Sequence, residues 1–179
     1  VRPPVALRPK SRALMTRVSL ITTRSPSRTR RGRSAKAEPL AQYGAKIADR
    51  VADLAACDIV FVMVSTWKDV KEVVTRLLSG KAKPKMLIEC SSISLEGSAE
   101  LREILESRNI QYLAAPVSGN AKVIKAGKLS FVCSGPKNAY EEAKPFLDAM
   151  GKGSSWVGEG ELARIVKICH NVFLGVVTQ

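Results

Sequence analysis

From residue 58 onward the chain alternates short, continuous apolar runs with longer segments of helical period. Asp58-Ile-Val-Phe-Val-Met-Val64 is apolar at consecutive positions between polar stops, which marks a strand buried on both faces. Met86-Leu-Ile-Glu-Cys90, Gln111-Tyr-Leu-Ala-Ala115, Leu129-Ser-Phe-Val-Cys133 and Ser154-Ser-Trp-Val157 read as four further strands. Between them lie predicted helices from Lys68 to Ser79, after Ser94 to about Arg108, and from Asn138 to Met150. Ser94 suits the N-cap of its helix, with Glu96 and Glu100 at the positive end. A closing helix spans about Glu161 to Thr178. Upstream, Ala35–Tyr43 reads as a short helix stopped by Gly44, Asp49–Ala56 as another capped by Asp49, and Val18–Thr23 as the one strand-like stretch near the start. Strands alternating with helices predict an α/β fold with a doubly wound, mostly parallel sheet. Such sheets bind ligands at the carboxyl ends of their strands. Ser65-Thr66, Ser91-Ser92 and Pro116-Val-Ser-Gly119 fall there.

Composition changes this picture in one place. The net charge of +13 suggests a nucleic-acid partner, but it is concentrated at the start. Residues 1–37 carry nine Arg, two Lys and no acidic residue, which leaves the remaining 142 residues at +2. The Arg- and Ser-rich segment reads as a disordered basic tail, an organelle transit peptide, or the damaged start of a domain. Arg28-Thr-Arg-Arg-Gly-Arg33 can hold a phosphate, but no aromatic residue interleaves with it as in a nucleic-acid surface. No run of about 18 apolar residues suggests a membrane span. Cys57, Cys90, Cys133 and Cys169 each lie in an apolar run without a CxxC pair, and His170 is the single histidine. The reading is four reduced, buried cysteines in a protein of cytoplasmic type, with no metal site.

The chemistry gathers in the last helix. Lys167 and Asn171 stand four residues apart, on one face of a helix, among Leu162, Ile165, Val166, Ile168, Val172 and Phe173. A desolvated lysine can give or take a proton at a substrate oxygen while hydride moves, and a carboxamide can hold the substrate. A lysine whose ammonium reaches water is the plain alternative. Ser118 and Gly119 form a small anion cradle or a polar turn. Arg164 can meet an anionic cofactor, a carboxylate or a surface acid, and His170 reads as structural.

Taken in order, Ala115-Pro-Val-Ser-Gly119, Ala126-Gly-Lys-Leu129, Gly158-Glu-Gly160 and Lys167-x-x-x-Asn171 resemble the β-hydroxyacid dehydrogenase family. That family includes 3-hydroxyisobutyrate dehydrogenases and semialdehyde reductases and is related to 6-phosphogluconate dehydrogenase. The resemblance covers about residues 36–179. It implies that Lys167 is the general acid/base, that Ser118 and Gly119 take the substrate carboxylate, with Asn120 beside them in the substrate pocket, and that Asn171 orients the substrate. It places Val64, Ser65 and Ser92 against a nicotinamide cofactor. Arg28, after a stretch that faintly resembles the family's second strand, would meet the NADP 2′-phosphate, a slight lean to NADP over NAD.

Asn120 departs from the resemblance, standing where most members have glycine. The family's opening G-x-G-x-x-G is also missing from the sequence. The implied division is a basic, irregular or degraded start at 1–34, an incomplete Rossmann-type domain at 35–159, and the start of a long interdomain helix at 160–179. The expected partner is a small hydroxyacid or semialdehyde, with no membrane, and the expected oligomer interface lies in a helical domain beyond the helix. The chain is expected to be a fragment of low activity. A non-catalytic remnant or binding module with a basic N-terminal arm is the alternative.

Overall fold

Helices pack on both faces of a parallel sheet, as the alternating pattern requires. The structure is a computed structural model that describes residues 18–22, 41, 45–119 and 121–178. Strands β1 (Val18–Thr22), β2 (Ile59–Met63), β3 (Met86–Glu89) and β4 (Gln111–Ala114) form one sheet in that order, all neighbours parallel. A second sheet holds β5 (Val117–Ser118), β6 (Ser130–Cys133) and β7 (Gly153–Trp156), with β5 and β6 antiparallel and β6 and β7 parallel. An antiparallel bridge between Ala114 and Ser134 ties the two sheets together.

Alternate strand residues feed two separate cores. Val60, Val62, Leu87, Tyr112 and Ala114 pack with Val70, Val73, Val74 and Leu77 of α1 (Trp67–Leu77) and Leu101 and Leu105 of α2 (Leu95–Glu106). Ile59, Phe61, Met86, Ile88 and Leu113 pack with Ala139, Ala143, Phe146 and Leu147 of α4 (Lys137–Met150) on the other face. This is why the strands read as unbroken apolar runs: neither face meets water.

Local signals place the helices. Thr66 caps α1 through a reciprocal bond pair with Asp69, its hydroxyl accepting from the Asp69 N–H at 3.2 Å. Ser94 caps α2, accepting from the Gly97 N–H at 3.1 Å, as expected. Gly97 is required here because a Cβ would stand 2.8 Å from the Trp67 ring. A second close approach joins α4 to β6. A Cβ on Gly151 would sit 2.1 Å from the Leu129 carbonyl oxygen, which already accepts from the Lys152 N–H at 2.7 Å. Gly151→Ala is therefore expected to cost about 1–3 kcal/mol through forced backbone displacement, read as a lower urea midpoint with an unchanged slope.

Three expectations are corrected, and one region is new. The strand at Val18–Thr22 does not take the place of a second strand. It pairs directly with β2, Val18 opposite Ile59, where the first strand of a doubly wound sheet stands. The helix expected at Asp49–Ala56 is a 3-10 helix at Val51–Ala56, entered through Arg50, whose backbone and side chain both bond Asp53. The region after β4 contains β5 and a short helix α3 (Ala121–Lys125) that the sequence pattern did not announce. The strand expected from Leu129 starts at Ser130. The helix expected at Ala35–Tyr43 and the basic segment around Arg28 lie outside the described residues apart from residue 41. Among the described residues no helix is long and apolar enough to cross a membrane.

Candidate active site

The parallel register sets Val62, Glu89 and Ala114 side by side, so the segments that follow leave the sheet along one edge. Val64 is buried and donates its N–H to the Ser91 hydroxyl at 2.8 Å. The Ser91 N–H in turn bonds a Glu89 carboxylate oxygen at 2.7 Å. The two loops are thus locked to each other by their own polar groups, leaving Ser65 and Ser92 exposed. Ser118 lies half-buried in β5, opposite Ser130. Gly119 follows with φ +147°, and a side chain there would strike Val123 at 2.8 Å, so the turn requires glycine. Asn120 lies outside the described residues.

Helix α5 (Leu162–Val177) is fastened across this edge by two arginines. Arg102 of α2 pairs with Glu161 at 2.7 Å, donates to the Gly160 carbonyl at 2.8 Å, and stacks its guanidinium 4.9 Å over the Tyr112 ring. Ser134 donates to the same carbonyl at 2.8 Å and accepts from the Ala163 N–H at 3.1 Å, which caps the helix start. Arg164 is 2% exposed. It forms an ion pair with fully buried Glu89, donates to the Ser91 carbonyl, and reaches the Tyr112 hydroxyl at 3.2 Å and the Ser98 hydroxyl at 3.3 Å. Burial pushes the Glu89 carboxyl upward, and Arg164 and Ser91 pull it back only in part. Burial opposes the charge on Arg164, but Glu89 and Tyr112 outweigh it and hold its proton more tightly.

Lys167 lies one helical turn beyond Arg164 and is half-buried, and burial lowers its amine below the ordinary lysine range. Asn171, one turn further, is exposed, as is His170, which therefore does not pack inside the protein. The apolar residues flanking Lys167 are also exposed: Ile165, Val166, Ile168, Val172 and Phe173 stand on the outer side of α5 while Ala163 and Arg164 face inward. No hydrogen bond among the described residues joins Lys167 or Asn171 to Ser118 or Gly119. The structure brings Val64, Ser65, Ser91 and Ser92 together directly, and links them through Arg164 to the helix that carries Lys167 and Asn171. The buried Arg164–Glu89 pair is the component the sequence reading missed. Its signal was Glu89 itself, one acid in the otherwise apolar run Met86-Leu-Ile-Glu-Cys90.

The cysteines divide against expectation. Cys90 and Cys133 are buried, Cys57 is half-buried, and Cys169 is exposed on α5 because its neighbours on that side face solvent. Burial pushes the Cys133 thiol up to about 12, and burial, followed by Glu89, holds the Cys90 thiol well above the ordinary thiol range. With a thiol reagent at pH 7.5, Cys169 is expected to label fast, and Cys90 and Cys133 only at the rate of global unfolding. Mass spectrometry of time points checks this.

A parallel sheet covered by helices on both faces, with hydroxyl-bearing loops at its carboxyl edge and a lysine helix pinned across that edge, defines a dinucleotide-binding domain. The chain belongs to the family described as the NAD binding domain of 6-phosphogluconate dehydrogenase, whose family model matches residues 28–158. The cofactor class of this family is the nicotinamide dinucleotides. The chain is 35% identical over 100 residues to 3-hydroxyisobutyrate dehydrogenase of Pseudomonas aeruginosa, covering 56% of this chain and 34% of that protein. It is 30% identical over 144 residues to glyoxylate/succinic semialdehyde reductase 2, chloroplastic, of Arabidopsis thaliana, covering 78% and 40%. It is 32% identical over 142 residues to cytokine-like nuclear factor N-PAC of Homo sapiens, covering 76% and 26%. The fold matches the solved structure of Mycobacterium tuberculosis 3-hydroxyisobutyrate dehydrogenase with a TM-score of 0.78, at 23% identity, over 90% of this chain and 61% of that one. The chain therefore spans well under half the length of these curated relatives.

The Val64 N–H and the Ser91 hydroxyl bond each other, and Ser65 and Ser92 beside them stay exposed at the carboxyl ends of β2 and β3. The pyrophosphate end of such a cofactor has no counterpart among the described residues.

Proposed function

We propose that this chain takes part in hydride transfer between NADP or NAD and a small 3-hydroxyacid or its semialdehyde. The placement of Lys167 carries the reading: a partly desolvated amine, one turn from a guanidinium locked into the cofactor edge of the sheet. The nicotinamide supplies or accepts the hydride. Lys167 gives a proton to the substrate oxygen in reduction and takes it in oxidation. The Ser118 hydroxyl and the Gly119 backbone hold the substrate carboxylate, with Asn120 beside them, and Asn171 hydrogen-bonds the substrate near its reacting carbon. Val64, Ser65 and Ser92 border the nicotinamide; with Val18–Thr22 in the first-strand place, Arg28 no longer follows a second strand, and the cofactor is NADP or NAD without preference.

Lys167 is only partly covered and Asn171 is open to water, so the turnover expected of this chain alone is low. We assign residues 1–34 to a basic start, 35–159 to the nucleotide-binding domain and 160–179 to an interdomain helix. The names of the relatives also support a second reading. The same domain type occurs in a protein named a nuclear factor, so a binding module with a basic N-terminal arm is the rival function.

NADPH fluorescence titration, followed by single-turnover reduction of glyoxylate and succinic semialdehyde at high protein concentration, tests the proposal. Saturable NADPH binding with slow, substrate-dependent NADPH oxidation is expected. Absence of both, together with a salt-dependent DNA shift lost on deleting residues 1–37, would decide for the binding module.

A further inference from the structure

Arg164 is placed as no surface cation would be. It sits among Glu89, the Ser91 carbonyl, Tyr112 and Ser98, donors and acceptors contributed by β3, the loop after it, β4 and α2. It stands three positions before Lys167. At 100° and 1.5 Å per residue, the two side chains leave the helix about 60° apart and about 4.5 Å along the axis. A helix that slipped by a single residue would swing Lys167 through about 100°. The guanidinium fork prevents that slip, because its acceptors lie in different directions and no other register satisfies them together. The same fork reaches the cofactor edge: it holds the Ser91 carbonyl, while the Ser91 hydroxyl accepts from the Val64 N–H at 2.8 Å. An apolar side chain would fill this space at no electrostatic cost, so packing alone does not account for a buried arginine.

We propose that Arg164 is a positioning residue that fixes two things at once: the register of the Lys167 helix and the mutual placement of the Val64–Ser65 and Ser91–Ser92 loops. It touches neither substrate nor cofactor. The proposal rests on the reading of those loops as the nicotinamide border, and its test separates the two.

The double variant Arg164→Met/Glu89→Leu removes both buried charges and keeps the volume. Thermal unfolding, amide hydrogen exchange and NADPH affinity are measured on it and on the full wild-type chain. Val64 is the reporting amide, because its acceptor, the Ser91 hydroxyl, is unchanged; Glu89→Leu also frees the Ser91 N–H, so Arg164→Lys, which keeps Glu89, is measured alongside to isolate the fork. A retained melting temperature, with Val64 exchange at least tenfold faster and NADPH binding at least tenfold weaker, is expected. A retained melting temperature with Val64 exchange within twofold of wild type overturns the proposal and leaves Arg164 as filler. If the double variant does not fold, Arg164→Lys serves alone. It keeps the charge beside Glu89 but lacks the fork, and faster or unchanged Val64 exchange decides the matter in the same way. A wild type that binds neither NADPH nor NADH removes the cofactor reading, while the exchange result still decides whether Arg164 holds the loops.

Discussion

Glu89→Leu alone is expected to destabilise the protein by about 3–5 kcal/mol, because it leaves the buried Arg164 guanidinium and the Ser91 N–H without the carboxyl group that both of them bond. Against a typical total of about 5–15 kcal/mol, this loss leaves a substantial unfolded population at growth temperature. The remaining partners, the Ser91 carbonyl and the Tyr112 and Ser98 hydroxyls, are neutral and do not replace a carboxylate. Chemical denaturation measures the loss, and a midpoint within about 1 kcal/mol of wild type would contradict the buried pair. Removing both partners should behave differently, since an apolar pair of similar volume is commonly neutral or stabilising. The direction of the Glu89 shift adds a pH signature. Its carboxyl is raised above 4.5 in the folded state, chiefly by burial, so the folded protein holds that proton more tightly than the unfolded chain. The stability this group contributes is full below 4.5 and declines as pH rises through the folded value. The wild type should therefore lose ground to Arg164→Met/Glu89→Leu as pH is raised from 4 toward 7.

The same pair marks where the sequence stopped being informative. β2 and β3 were readable because both faces are buried over almost their whole length and every position but Glu89 is apolar. The start of α2 was readable because Ser94 satisfies a helix-end N–H only three residues away. Both signals are local. Arg164 and Glu89 meet across 75 residues, and nothing in the spacing of either predicts the other. On the sequence alone Arg164 could meet an anionic cofactor, a carboxylate or a surface acid, and the structure gives it a carboxylate inside the protein. The two-residue strand β5 is too short to carry a period, and it follows Pro116. Of the candidate site, the loops and the lysine–asparagine spacing were legible through their order along the chain. The apolar residues around Lys167 misled: they suggested an enclosing wall, whereas they line the exposed side of α5, and Cys169 is exposed for the same reason.

Lys167→Ala is expected to lower the rate of NADPH-dependent semialdehyde reduction by about 10²–10⁴, the range for loss of a positioned general acid. NADPH affinity should stay within about twofold of wild type, because no part of the cofactor contact assigned to Ser65 and Ser92 passes through the amine. The two readouts together separate proton transfer from binding. A lysine that only covers apolar surface with its stem would give a variant of equal rate, and turnover within threefold of wild type would end the catalytic assignment. The pH profile gives an independent reading. Burial lowers the Lys167 amine, so it should lose its proton at a lower pH than a free lysine, and reduction, which needs the protonated form, should fall off through that lowered value. Lys167→Arg keeps a cation but gives up no proton in this range, so it should restore neither the rate nor the pH dependence. If arginine did restore the rate, Lys167 would serve as a fixed positive charge beside the substrate oxygen rather than as its proton donor.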